Sequence, residues 1–209
     1  GILDADIYGP NVPLMMGLPG SALKDASQKS AGENPDGKAL LAPPSNHGVK
    51  VMSMAFLLKD DQPVVWRGPM LDKVIRQFLS DSDWGELDYL IVDLPPGTGD
   101  AQLTIIQSTP VVGAVIVTTP QEVALLDSRK GLAMFRNANI PVFGLVENMS
   151  YFTPAELPDN KYYLFGKDGG KDLASDFDIP FLGQIPIVQS IREGGDIGVR
   201  LRQENDLLI

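Results

Sequence analysis

Short apolar runs recur along this chain at intervals suited to strands. They are Gly1-Ile2-Leu3 and residues 49–54, 89–92, 114–117, 142–146 and 181–185. Each run is continuous rather than alternating, which predicts strands buried on both faces, as in a parallel sheet covered by helices. Helical periodicity lies between them. In PMLDKVIRQFLSDSDW the apolar residues Leu71, Val74, Ile75, Phe78 and Leu79 fall on one helix face. Gly68-Pro69 ahead of them fits an N-cap followed by proline at the first helical position. A second helix is expected from Asp100 through AQLTIIQS, with the Asp100 carboxylate as its cap. A third covers QEVALLDSRKGLAMFRNAN, with Val123, Leu126, Lys130 and residues 132–135 as a rough stripe, and a fourth covers GGKDLASDF. Strand–helix alternation of this kind predicts an α/β fold with a doubly wound, mostly parallel sheet.

Two stretches interrupt the alternation. Residues 20–46 are rich in Ser, Gly, Pro, Asn and Lys, and read as a long mobile loop. Residues 150–170, SYFTPAELPDNKYYLFGKDGG, read as an insertion with two prolines and a cluster of aromatics. Those aromatics could pack under the insertion or form a contact surface. With no internal repeat and no second core, residues 1–209 are expected to form one domain.

Composition narrows the chemistry. The 209 residues are 44% hydrophobic and 21% charged, enough to bury a full-sized core. A net charge of −10 argues against binding nucleic acid or an anionic membrane through bulk electrostatics. No apolar run approaches the roughly 20 residues of a membrane span, and a cytoplasmic protein is expected. The chain contains no cysteine, so it offers no thiolate to a metal or an iron–sulfur cluster. Its one histidine, His47, lies in the polar stretch PPSNHGVK and reads as a solvated loop residue.

In an open α/β sheet, ligands bind beyond the carboxyl ends of the strands, so acids at those ends are the first candidates. Asp93 follows Tyr-Leu-Ile-Val at such an end, where a carboxylate can hold Mg²⁺, often through water, beside nucleotide phosphates. Pro95-Pro96-Gly97 stiffens the next turn, while Gly97 and Gly99 can expose backbone N–H groups to a phosphate. The opposing reading is an ordinary turn. Asp4 and Asp6, in GILDADIYGPN, could reach the same crevice, one assisting the metal and one orienting an attacking water, or could form an Asx-turn. Asn148, in GLVENMS, offers a donor and an acceptor suited to a purine edge, or is a simple turn former. The glycines of Gly166-Lys167-Asp168-Gly169-Gly170-Lys171-Asp172 have the wrong spacing for a phosphate-binding loop and read as a turn before a helix.

Taken together, GILDADIYGPNVPLMMGL, PVVWRGPML, DYLIVDLPPGTGDAQLT, VTTPQEVALLDSRKG, IPVFGLVENMSYF and FLGQIPIVQSIREGGDIG resemble the Mrp family of ATPases, also called ApbC-type iron–sulfur carriers. These are P-loop NTPases of the deviant Walker A group, with MinD and ParA. The resemblance implies a MinD-like fold and an ATP-dependent homodimer that carries or transfers clusters to apoprotein clients. It implies that Asp6 positions the hydrolytic water with Asp4 beside it, that Asp93 is the Walker B acid serving Mg²⁺, and that residues 94–100, including Pro95 and Gly97, form switch II. It further implies that Asn148 reads adenine and that Pro186 and Ile187 border the base. Arg67, in WRGPM, could contact phosphate or support its turn.

The chain departs from the family in two ways. It begins at Gly1, already at the DAD strand, so it is expected to be a fragment without the first strand and P-loop, inactive by itself. Residues 153–160 stand where many relatives carry a C-x-x-C pair for a [4Fe–4S] cluster, and they contain no cysteine. A MinD- or ParA-like switch without a cluster, or a non-enzymatic interaction module, are the alternative functions.

Overall fold

The apolar runs become the strands of the fold. The computed structural model describes residues 1–6, 9–29, 32–33, 37, 39–57 and 68–199. Along the chain lie β1 (Ile2–Asp4), α1 (Val12–Met15), α2 (Ala22–Lys29), β2 (Ser45–Asn46), β3 (Val49–Ser53), α3 (Gly68–Ser80), β4 (Ile91–Asp93), α4 (Asp100–Ser108), β5 (Ala114–Thr118), α5 (Glu122–Asn137), β6 (Val142–Glu147), α6 (Gly169–Asp176), β7 (Phe181–Gln184) and α7 (Gln189–Ile197). The expected α/β alternation is present, with the parallel pairings that it predicts.

The structure divides into two compact units, Gly1–Thr109 with the segment from Ser190, and Pro110–Gln189. In the first, the sheet order is β2-β3-β1-β4. β1 runs parallel to both β3 and β4, and the register sets Asp4 beside Ser53 on one side and Asp93 on the other. β2 and β3 form a hairpin closed by His47 and Gly48, with φ of 53° and 77°. Two positive φ values are what a tight hairpin turn demands. The lone histidine is therefore a turn residue, with Nε2 3.3 Å from the Gly198 carbonyl oxygen. Leu3, Val51 and Met52 meet Ile75 and Phe78 of α3 and Ile105 of α4 in the core. Ile75 and Phe78 belong to the expected apolar stripe of α3 and are fully buried.

In the second unit the order is β5-β6-β7, all parallel, with α5 and α6 packed on the sheet. Here two expectations change. The strands are not buried on both faces: Ile116 is buried, but its neighbours Val115 and Val117 are 49% and 60% exposed. The α5 stripe holds in part: Leu132 and Phe135 of the expected set are buried, but Leu125 joins them while Val123 and Leu126 face solvent. Leu125 satisfies helical spacing as the other two do, and packing selected the face that meets the sheet. In the first unit, the stretch 20–46 includes a helix, α2, whose Ala22 and Leu23 reach the core. The polar residues of α2 lie on the rest of an amphipathic helix. Finally, Gly99 is the N-cap of α4, so Asp100 is its first helical residue and not its cap.

Candidate functional site

Three acids gather at the carboxyl ends of β1 and β4 in the first unit. Asp4 has no exposed surface. Its Oδ2 accepts from Ser53 Oγ at 2.8 Å and from Val12 N–H at 3.3 Å, and its Oδ1 accepts from Asp6 N–H at 3.3 Å. One carboxylate thus ties β3, the start of α1 and the Asp6 loop together. Burial pushes the Asp4 pKa up; the three donors oppose that shift, and the charge of Asp93 adds to it. Asp6 is half-buried, and its Oδ1 accepts from Gly9 N–H at 3.3 Å. Asp93 is exposed, yet the surrounding protein desolvates its carboxyl enough to raise its pKa, and the Asp6 charge raises it further. Ala5 N–H donates to the Asp93 carbonyl at 3.0 Å, holding the two strand ends together.

The turn after Asp93 is pinned from behind. Gln102, on α4, is 2% exposed. Its Nε2 donates to the carbonyl oxygens of Pro95, Pro96 and Gly97 at 2.7, 3.3 and 3.1 Å. Gly97 has φ of 93°, a conformation suited to glycine alone. Gln102 was not apparent as a site residue in the sequence. Its signal is only that a polar residue lies one turn into a helix that follows a stiff loop.

The second unit carries the other expected residues, again beyond strand ends. Asn148 follows β6; its backbone N–H donates to Thr118 O at the end of β5 at 2.7 Å. Its Oδ1 accepts from Met149 N–H at 2.9 Å, so its amide Nδ2 is the group left to donate outward. Pro186 and Ile187 follow β7 and are half-buried. Ile187 N–H donates to Tyr151 O at 2.7 Å, and Ser150 N–H to Ile185 O at 3.0 Å, which draws the Asn148 turn and the 185–187 segment together. Gly170 N–H, in the glycine-rich decoy, is already bonded to Glu147 Oε2 at 2.6 Å.

The insertion folds as a small hairpin in which Phe152 and Tyr162 exchange backbone hydrogen bonds of 2.9 and 2.8 Å. Tyr151 and Tyr163 meet edge to face at 6.3 Å, with Lys161 and Lys167 set over their rings. Phe152, Tyr162 and Tyr163 are all partly exposed rather than buried beneath it. Arg67 and the side chains of Leu71 and Asp100 lie outside the described residues.

Among the described residues no three His, Cys, Asp or Glu side chains converge as a ready metal cage. Mg²⁺ in nucleotide sites rarely needs one, because it uses one or two carboxylates, waters and phosphates. Asp93 fits that role: a hard oxygen ligand, accessible, and crowded by a second negative charge. Among the described residues no helix is long and apolar enough to cross a membrane.

The chain is 57% identical over 199 residues to the iron–sulfur cluster carrier protein of Synechocystis, covering 95% of this chain and 54% of that one. It is 46% identical over 198 residues to the iron–sulfur cluster transfer protein NUBPL of Mus musculus, covering 95% and 58%. The chain thus spans little more than half the length of these curated relatives. Among solved structures, it resembles a nucleotide-binding protein from Archaeoglobus fulgidus in complex with ADP, with TM-score 0.74 and 38% identity, covering 95% of this chain and 73% of that one. The septum site-determining protein MinD of Pyrococcus horikoshii shares the fold, with TM-score 0.57 and 19% identity, covering 95% and 72%. The ParA family model, described as NUBPL iron-transfer P-loop NTPase, matches residues 1–207. With nearly every residue matched, the chain belongs to the ParA family of NUBPL-type iron-transfer P-loop NTPases.

Proposed function

We propose that this chain is the larger part of a Mg²⁺-dependent ATPase that carries or transfers iron–sulfur clusters to apoproteins. The observation that carries the ATPase reading is the set of three acids at adjacent parallel strand ends, with Asp4 and Asp93 in register and the Asp6 charge acting on Asp93. Asp93 would hold Mg²⁺ through water, and Mg²⁺ so bound would neutralise charge on the nucleotide's phosphates. Asp6 would orient the attacking water. Asp4 stands beside it; its three accepted hydrogen bonds support a role in holding the Asp6 loop. The turn at Pro95 and Gly97 would approach the phosphates with its carbonyls turned towards Gln102. Asn148 would donate to the base through Nδ2, and Pro186 and Ile187 would border the base. Preorganised groups of this kind supply most of the catalysis in phosphoryl transfer.

The cluster is cargo in this reading, and the support for it is the family and the names of the relatives. A homodimer, a cytoplasmic location and apoprotein clients belong to the same proposal. The 209 residues contain no cysteine and offer a cluster no thiolate. In the complete protein, Asp93→Ala is expected to abolish Mg²⁺-dependent ATP hydrolysis while nucleotide-free folding persists. Wild-type turnover by that variant would remove Asp93 from the site.

The cysteine-free stretch 153–160 favours a second reading, a dimerising nucleotide switch without a cluster. Anaerobic reconstitution of the complete protein with iron and sulfide separates the two. Charge-transfer absorbance supports the carrier, and its absence supports the switch.

A further inference from the structure

We propose that Glu147 is a positioning residue whose buried carboxylate locks three segments of the second unit and so sets the Asn148 turn and the 185–187 segment for nucleobase binding. The proposal rests on the reading that those segments border the base.

Glu147 closes β6 and has no exposed surface. A buried carboxylate is costly unless donors meet it. Here Gly170 N–H donates to Oε2 at 2.6 Å and Gln184 Nε2 donates to Oε1 at 2.9 Å. The first contact satisfies one of the amides that the first turn of α6 leaves without a partner, at the positive end of its dipole. The helix's own N-cap, Asp168, has φ of 60° and makes no side-chain cap bond, so the acid on β6 performs the capping from across the fold. The fit is close: a Cβ at Gly170 would lie 3.1 Å from both Cβ and Oε2 of Glu147.

The main chain of the same residue holds the other side. The Glu147 carbonyl accepts from Ile185 N–H at 2.8 Å and from Ser150 Oγ at 2.6 Å. Through side chain and backbone, Glu147 therefore joins α6, the end of β7 and the turn that begins at Asn148. A purely structural cap would affect the binding of every nucleotide alike. A positioning residue would change which base is preferred, because Nδ2 of Asn148 must stand at a set place relative to the 185–187 backbone.

The chemistry supplies a sharp variant. Glu147 meets two donors with two acceptors. Glu147→Gln leaves one acceptor and one amino group; with the acceptor kept on Gly170 N–H, the amino group meets Gln184, whose amide must turn over to accept it and so gives up its Nε2 contact with Asp168 Oδ1 at 3.5 Å. Gln184→Ala removes the same contact from the other side, so the two changes should not add in the double variant.

The test uses the complete protein with Mg²⁺ and non-hydrolysable adenosine and guanosine imidotriphosphates, with affinities from calorimetry and folding checked by circular dichroism. Asn148→Ala and Glu147→Gln are each expected to lower the adenine-over-guanine preference by about fivefold or more, in line with one lost hydrogen bond. Q184A is expected to lower it about twofold, and E147Q/Q184A to lose little more than E147Q alone. If N148A loses the preference while folded E147Q keeps it, Glu147 is only a structural cap and the proposal fails. If N148A also keeps it, the base-site reading itself fails and this proposal falls with it. Should E147Q not fold, Q184A decides, and an unchanged preference in that variant overturns the proposal.

Discussion

Asp93 holds a proton more readily than a solvated aspartate does, because the surrounding protein desolvates its carboxyl and Asp6 places a second negative charge nearby. Its folded-state pKa is therefore above that of the unfolded chain. The folded form gives up that proton reluctantly, so this acid lowers stability as pH rises from the ordinary carboxylate value, about 4, through its raised value, and the whole cost is present above that. In metal-free buffer, Asp93→Asn is expected to raise the melting temperature at neutral pH. The gain should fade as pH drops through about 4, well below which the wild-type group is protonated in both states. Calorimetric scans across that range test it, and a lower melting temperature for D93N at neutral pH would contradict the crowding of these acids. Asp4 is also shifted upwards by burial, but three donors to its carboxylate oppose the shift. Asp4, Asp6 and Asp93 were legible in the sequence because an acid after an apolar run is a local pattern. That Asp4 is sealed beneath Ser53 and Val12 was not legible, because those partners come from separate parts of the chain.

At the scale of the element, the turn 95–99 depends on α4. Prolines and glycines limit and permit its conformations, but the Gln102 side chain holds its carbonyls in place. Gln102→Ala leaves three carbonyls without that donor at a buried position and is expected to cost about 1–3 kcal/mol, measured by urea unfolding. A loss within about 0.5 kcal/mol would show that water replaces the amide without penalty. The sequence marked the turn but not its anchor, since a glutamine in a helix is usually solvated. The same limit explains α5. Val123 and Leu126 have helical spacing as Leu125 does, and only the packing of α5 on the sheet joined Leu125, rather than those two, to Leu132 and Phe135. In residues 20–46, polar composition masked α2, because eight residues give helical periodicity little length in which to show.

Across the whole molecule, several strand residues expected in the core face solvent, among them Ile91, Val117 and Leu182 at 63%, 60% and 51% exposed. Exposed apolar side chains promote association where they form a contiguous patch. The 209-residue chain by itself is expected to bind a hydrophobic dye and to self-associate. Val117→Lys should weaken both with a stability change within about 0.5 kcal/mol, because the side chain is already exposed. Unchanged dye fluorescence in V117K would show that this position is not part of the binding surface. The sequence by itself determined the alternation of strands and helices, the acids that end β1 and β4, and the family to which the text belongs. These follow from backbone periodicity and from short motifs, both of which are local. The tertiary structure decided which strands pair, which helix face packs, and that Gln102 and Glu147 each anchor loops within their own unit. Those outcomes depend on contacts between distant residues, such as Asp4 with Ser53 or Glu147 with Gly170, and no spacing within a single segment encodes them.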